Sequence, residues 1–326
     1  MAFLAVSALG LLVVPAAAQT NSSADSHLKR GIQRYNARDF KSAIEDFSEA
    51  IAINSGFSKR RTAGRSGLNY SEDRELDGSS DRIVVTDAFN AVAYYNRGIA
   101  WSAVSDFDHA IADFDNAIRI NPRYTDAFLR RGNAWHSKGS IDRAIADYNR
   151  AIELDPRSAY AYNNRGIARK DLQDMAGAIS DFNETLTLNP DLTQAYINRG
   201  ATLCAVGDLK RAMDDVNHAI ANEPQNSMAY NNRGAIRQAG GEYTGALADY
   251  DKAILLDPEN VLAYANRGLL RIRQGNVAEG ERDLNRALKL CPGLKSTIEH
   301  LLRRDNDKEP QPTIPSPDEV ELLLQS

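Results

Sequence analysis

The chain has 326 residues, a formal net charge of -5, 43% hydrophobic and 25% charged residues, and two cysteines. Charges of both signs are mixed along it, so it lacks the basic footprint of a nucleic-acid binder, and two cysteines cannot form a disulfide framework. A chain of this length can bury a large core without covalent staples.

Residues 2–18 carry no charge, are rich in Leu, Val and Ala, and end in Ala16-Ala17-Ala18 before Gln19, the small-residue pattern read by a signal peptidase. Residues 1–18 are expected to be an export signal. The mature chain then resides outside the cytoplasm, in the periplasm if the source is a Gram-negative bacterium. No Lys or Arg precedes the apolar run, so the alternative is retention as a membrane anchor; the borderline length, Gly10 and Pro15 speak against a spanning helix.

Residues 24–57 place Gly31, Phe40, Ala43, Phe47 and Ala50 at offsets that recur downstream, and read as a first helical repeat. Residues 58–90 follow as an expected flexible insertion. They contain Lys59, Arg60, Arg61 and Arg65, then Glu72, Asp73, Glu75 and Asp77, among Gly and Ser with almost no apolar periodicity. Such a segment is either a partner or regulatory loop or a tolerated surface insertion.

From Ala91 to Pro292 one pattern recurs at intervals of 34 residues. Gly98, Gly132, Gly166, Gly200, Gly234 and Gly268 mark it, with Ala110, Ala144, Ala178, Ala212, Ala246 and Gly280 following at one fixed offset. Pro122, Pro156, Pro190, Pro224, Pro258 and Pro292 close the units. These bounds give repeats at 91–124, 125–158, 159–192, 193–226, 227–260 and 261–293. Within the first, Tyr94, Gly98 and Trp101 share one helical face, and Ala110, Ile111, Phe114, Ala117 and Ile118 share another. Each unit is therefore a helical hairpin. Gly139, Gly207, Gly241 and Gly275 mark the turns within four of them, and each proline pushes the residue before it out of helix. A single hairpin of this size cannot bury both helices, so neighbours must stack.

The period, the helix pair and the aromatic, Gly, Ala, aromatic, Ala, Pro series resemble the tetratricopeptide repeat. The resemblance implies an all-α fold, a right-handed superhelical solenoid of stacked hairpins with its first helices on the concave side, and protein or peptide partners. Two positions depart from the family pattern. The Leu expected before the marker glycine is Arg throughout, and the Tyr expected three residues after it is Trp101, Trp135, Arg169, Leu203, Arg237 and Arg271.

After Pro292, Leu294, Ile298, Leu301 and Leu302 have helical spacing, so 294–304 is expected to cap the last hairpin. Residues 305–326 are expected to be a disordered tail. Cys204 and Cys291 occupy different positions of repeats two units apart and are expected to be free and at least partly buried. The five histidines share no metal-ligand spacing, and phosphate-binding loops, paired-cysteine motifs and nucleophile elbows are missing, so neither catalysis nor a metal or cofactor is expected.

Two recurring features exceed what helical hairpins require. Asn96, Asn164, Asn198, Asn232 and Asn266 stand two residues before the marker glycine, with Arg130 alone breaking the series. The helical period turns this position away from the Tyr94, Gly98 and Trp101 face, so these six side chains are expected to be exposed and to form a peptide-binding ladder. It is similar to the asparagine ladder in the superhelix of O-linked N-acetylglucosamine transferase, which grips peptide backbone. The alternatives are hydrogen bonds between neighbouring helices, or inheritance from a duplicated unit. Chaperone-binding relatives instead clamp a terminal carboxylate with Lys or Arg three residues before the glycine. Those positions hold Leu28, Tyr95, Leu129, Asn163, Ile197, Asn231 and Ala265, which disfavours such a clamp.

The second feature is an Arg just before each marker glycine, from Arg30 to Arg267, matched by an Asp in the second helix, from Asp46 to Asp283. Each pair is expected to face across its hairpin as a partly buried bidentate ion pair with a structural role. The function expected is an exported scaffold that binds an extended peptide in its concave groove. The alternatives are a structural or self-associating scaffold using its ends or convex face, or an accessory subunit of an enzyme complex.

Overall fold

The computed structural model describes residues 22–63 and 79–306; the expected export signal, residues 64–78 of the expected insertion and the tail from 307 lie outside them. Every regular element among the described residues is a helix, and they fall into two compact units, 22–168 and 169–306. The first unit holds α1 (Ser22–Asn36), α2 (Phe40–Ala63), α3 (Ser79–Ala103), α4 (Phe107–Ile120), α5 (Thr125–Ser137), α6 (Ile141–Leu154) and most of α7 (Ala159–Asp171). The second holds α8 (Met175–Leu188), α9 (Thr193–Ala205), α10 (Leu209–Asn222), α11 (Ser227–Ala239), α12 (Tyr243–Leu256), α13 (Val261–Arg273), α14 (Val277–Leu290) and, after a 3-10 turn at Pro292–Leu294, α15 (Lys295–Asn306).

The prolines act through their predecessors. Asn121, Asp155, Asn189, Glu223, Asp257 and Cys291 each terminate a second helix in extended backbone, with ψ between 80° and 99°. Proline forbids helical ψ at the residue before it, which explains the common stop. Starts are set by side chains: Asp106, Asp174 and Asp208 accept from the backbone N–H groups of His109, Gly177 and Arg211, while Asn226 and Asn260 cap α11 and α13 through Ala229 and Ala263.

Paired helices approach closely because the marker glycines have no side chain. A Cβ on Gly132 would lie 2.6 Å from the Tyr148 ring, and one on Gly234 2.6 Å from the Tyr250 ring. Both rings are fully buried and cannot retreat. The turn glycines Gly139, Gly207, Gly241 and Gly275 have φ from +74° to +84°, and the equivalent turns elsewhere force Arg38, Ser105 and Gln173 to φ near +62°.

Stacking then completes the core. Ala212 and Val216 of α10 pack against Ala201 and Cys204 of α9 and against Ala235, Ile236 and Ala239 of the next hairpin. Ile298 and Leu301 of α15 cover Leu269 and Leu284, the apolar surface left by the last hairpin. Cys204 and Cys291 are free; Cys204 is buried and Cys291 partly so.

The segment expected as an unstructured insertion is corrected at both ends. α2 runs on to Ala63 and α3 begins at Ser79, so helix occupies 58–63 and 79–90. Phe89, Ala93 and Ala100 share one face of α3 and pack with Leu28 and Phe47. Those few apolar positions extend the helix backward, and the charge-rich flank conceals them in a compositional reading.

Candidate ligand face on the first helices

The six expected ladder residues each sit on a first helix: Asn96 on α3, Arg130 on α5, Asn164 on α7, Asn198 on α9, Asn232 on α11 and Asn266 on α13. Their expected exposure is corrected. Asn96 is 2% exposed, Asn164 8%, Asn232 5% and Asn266 1%, while Arg130 and Asn198 are half-buried. A helical wheel considers one helix, but here neighbouring hairpins cover the flank opposite the hairpin seam. Asn164 donates from Nδ2 to Asn133 Oδ1 at 2.9 Å, and Asn266 from Nδ2 to Asn231 Oδ1 at 2.9 Å. Both bonds tie one first helix to the preceding one.

The network recruits residues that the sequence reading passed over. Tyr148 donates its hydroxyl to Asn133 Oδ1 at 2.9 Å, and Asn163 and Asn231 donate to their neighbours Asn164 and Asn232 at 3.2 and 3.3 Å. Tyr250 donates to Gln238 Oε1 at 2.9 Å. The Asn163-Asn164 and Asn231-Asn232 doublets were the available signal. Asn198 accepts from Gln194 Nε2 at 3.0 Å. Asn96 differs: its Oδ1 and Nδ2 are both buried and neither has a hydrogen-bond partner among the described residues.

The Arg and Asp series comes together as expected. Arg30–Asp46, Arg97–Asp113, Arg131–Asp147, Arg199–Asp215, Arg233–Asp249 and Arg267–Asp283 make contacts of 2.5 to 2.7 Å. Burial presses the Arg97 guanidinium toward its neutral form, and the Asp113 carboxylate more than reverses this. The family departures now have a cause. Arg237 and Arg271, three residues after their marker glycines, bring a second guanidinium to Asp249 and Asp283 at 2.6 and 2.8 Å. Where that position is Trp, Trp101 stacks on His109 at 4.7 Å and Trp135 lies under Arg143 at 4.6 Å.

An aromatic group of Tyr95, Tyr124 and Phe114 packs in the first unit. Tyr95 is 7% exposed, and its ring lies 4.9 Å from that of Tyr124 and 6.0 Å from that of Phe114. Burial holds the Tyr95 phenol above its ordinary pKa, against the opposing pull of the Arg130 charge. Tyr35 is raised by burial in the same way and also feels Arg130.

No group of three or more metal-ligating side chains comes together among the described residues, and none of their helices is long and apolar enough to cross a membrane. Tetratricopeptide repeat models match residues 91–124 and 159–192, and a further TPR repeat model matches 132–173 and 236–275. No curated protein sequence matches the chain. Among solved structures, a tetratricopeptide repeat protein from Parabacteroides merdae aligns with a TM-score of 0.66 at 18% identity, covering 88% of this chain and 100% of its own. PilF of Pseudomonas aeruginosa aligns at 0.53 and 19% identity over 67% of this chain and 99% of its own. The APC/C Cut9-Hcn1 hetero-tetramer structure aligns at 0.59 and 15% identity, over 81% of this chain and 55% of the matched one. These likenesses establish the stacked-hairpin fold.

Proposed function

Starting from a chain that carries tetratricopeptide repeats in a stack of helical hairpins, we propose that it is a protein interaction scaffold whose first helices receive an extended peptide segment of a partner. The observation that carries this reading is the polarity of those helices. Asn163, Asn164, Asn231, Asn232 and Asn266 are buried where hairpin packing alone asks for apolar side chains. A carboxamide supplies both donor and acceptor, so each buried amide can bond a neighbouring first helix, while the half-buried Asn198 suits a peptide backbone of any sequence. In this reading the buried amides space and orient the first helices, and the half-buried Arg130 and Asn198, each in its own unit, touch the ligand. The test is binding of the full chain to an array of short random peptides. Capture that weakens in Arg130→Ala and Asn198→Ala supports the reading, and an array without bound peptides overturns it.

The chain is further proposed to be exported, on the strength of the uncharged run at 2–18 and Ala16-Ala17-Ala18. N-terminal sequencing of the purified protein checks this: a mature end at Gln19 is expected, and an intact Ala2 segment in a soluble cytoplasmic fraction overturns it.

A second reading rests on a separate observation. In the second unit Leu172, Val206 and Val277 are exposed at the turns between paired helices. Apolar side chains along that edge suit association with another copy of the chain. Light scattering of the full chain and of Leu172→Glu with Val206→Glu decides it, since a monomer in both removes the reading.

A further inference from the structure

Neighbouring hairpins bring the turns between their paired helices together along one edge. In the first unit Lys138, at the end of α5, closes an ion pair with Asp108 in the first turn of α4, 30 residues earlier. In the second unit a Cβ on Gly240, at the end of α11, would lie 3.9 Å from Leu209 Cδ1 at the start of α10. The turns are in contact there too, but their chemistry differs. Two repeats after Asp108 and Lys138 the same offsets hold Ala176 and Val206, and one repeat further they hold Lys210 and Gly240. Lys210 therefore meets a glycine across the turns, and it has no ion-pair partner among the described residues. Beside it the Arg211 side chain is 54% exposed and reaches Asp208 at 3.4 Å. Leu172 and Val206, on consecutive turns, are 48% and 50% exposed, and Asp171 and Asp174 stand exposed on either side of Leu172. A single exposed apolar side chain needs no account. Two on adjacent turns, one flanked by acids and the other followed by bases, make a patch that is complementary to itself.

We propose that this edge is a two-fold interface between two copies of the chain, with the axis passing between the turn at Leu172 and the turn at Val206. The proposal rests on the self-association reading above and names its register. A two-fold axis sets the same patch against itself and makes every contact twice. Leu172 of one copy then covers the partner's Val206, and Asp171 and Asp174 come opposite the partner's Lys210 and Arg211. Other registers fit less well. Moving the axis onto Val206 sets Asp174 against the partner's Glu242, which is 68% exposed and of like charge. Moving it one turn further sets Val206 against the partner's Gly240, which has no side chain to bury. Acids and bases are near balance along this edge, which suits neither a nucleic acid nor an anionic lipid surface. Burial of the apolar pair favours association, while the exposed ion pairs fix its orientation.

Sedimentation of the full chain over about 1 μM to 1 mM reads the association. Asp171→Lys and Arg211→Glu should each weaken it about tenfold or more, because each sets like charges face to face twice. The double variant should return to the wild-type value, which damage to folding could not produce. Neither side chain caps a helix, since Asp174 and Asp208 do so here, and thermal unfolding of the three variants should match that of the wild type. Cross-linking tests the register independently of charge. In a Cys291→Ser background, with Cys204 buried, Leu172→Cys mixed with Val206→Cys should form an intermolecular disulfide, and neither variant should do so alone. A dimer that ignores the charge variants, or that cross-links through Leu172→Cys by itself, overturns the register while leaving self-association intact. A chain that stays monomeric over the whole range overturns both and leaves this edge to a partner of another kind.

Discussion

Arg199 grips Asp215 with two parallel bonds, Nε to Oδ2 at 2.8 Å and Nη2 to Oδ1 at 2.7 Å, and its remaining amino group reaches Asn183 at 2.7 Å. The Arg199 side chain is 19% exposed and that of Asp215 8%, so the pair is largely withdrawn from water. Removing either partner leaves the other charged and uncompensated, at a cost of about 3 kcal/mol or more. The Arg199→Ala, Asp215→Ala double variant should be less destabilised than the sum of the single losses. Denaturant melts check this, and small additive losses would show that the pair is solvated.

The marker glycines differ in what they exclude. A Cβ at Gly132 meets the buried Tyr148 ring at 2.6 Å, whereas one at Gly200 finds Val216 at 3.6 Å and the Ala212 carbonyl at 3.3 Å. Alanine gains up to about 1 kcal/mol of helix propensity at either site. Overpacking costs roughly 1 to 3 kcal/mol where neighbours cannot move. Gly132→Ala should therefore lower the melting temperature, and Gly200→Ala should leave it nearly unchanged.

The left-handed turns offer the reverse experiment. Arg38, Ser105 and Gln173 hold φ of +62°, +61° and +62° in turns where other hairpins place glycine. Substituting glycine at each relieves a conformation that costs an L-residue about 1 kcal/mol. The triple variant should unfold at a higher temperature, while Gly207→Ala, at φ +83°, should unfold at a lower one.

Burial pushes the Cys204 thiol up to about 12, so its reactive thiolate is nearly absent at neutral pH. The partly exposed Cys291 has no such cover. Titration of the native chain with a thiol reagent should find one fast group, and denaturant should release the second. Two fast thiols in the native state would contradict the packing around Cys204.

Asn266 and Asn96 should respond oppositely to apolar substitution. Asn266→Ala removes the donor to Asn231 and leaves a cavity, costing about 1 to 3 kcal/mol. Asn96→Leu replaces an amide whose two polar atoms have no partner among the described residues, and should stabilise the chain. Thermal melts of the two variants check the contrast.

How far the sequence could be read depended on where each partner lies. The Arg and Asp of a pair are 16 residues apart in every hairpin, so the repeat itself displayed the contact, and the prolines displayed the helix ends. The Asn164 bond to Asn133 spans 31 residues and that of Asn266 to Asn231 spans 35. These link different positions of neighbouring units, which a single-helix wheel cannot show. It turned the asparagines toward solvent because it contained no neighbour. Phe89 was missed for a related reason, since its partners Leu28 and Phe47 lie before the charged segment that hides it.

Arg131, Arg199, Arg233 and Arg267 each have one hand forward and one back. Arg233 takes Asp249 ahead and Asn217 behind, and Arg267 takes Asp283 ahead and Asp251 behind. Excise residues 227–260 as a block and Arg267 inherits Asn217, an acceptor already shaped for an arginine in that place. The joint is interchangeable between neighbours, so a lineage can gain or lose a whole hairpin without inventing a new seam. The length of such a chain can then change by whole hairpins, with the fold indifferent to the number of links.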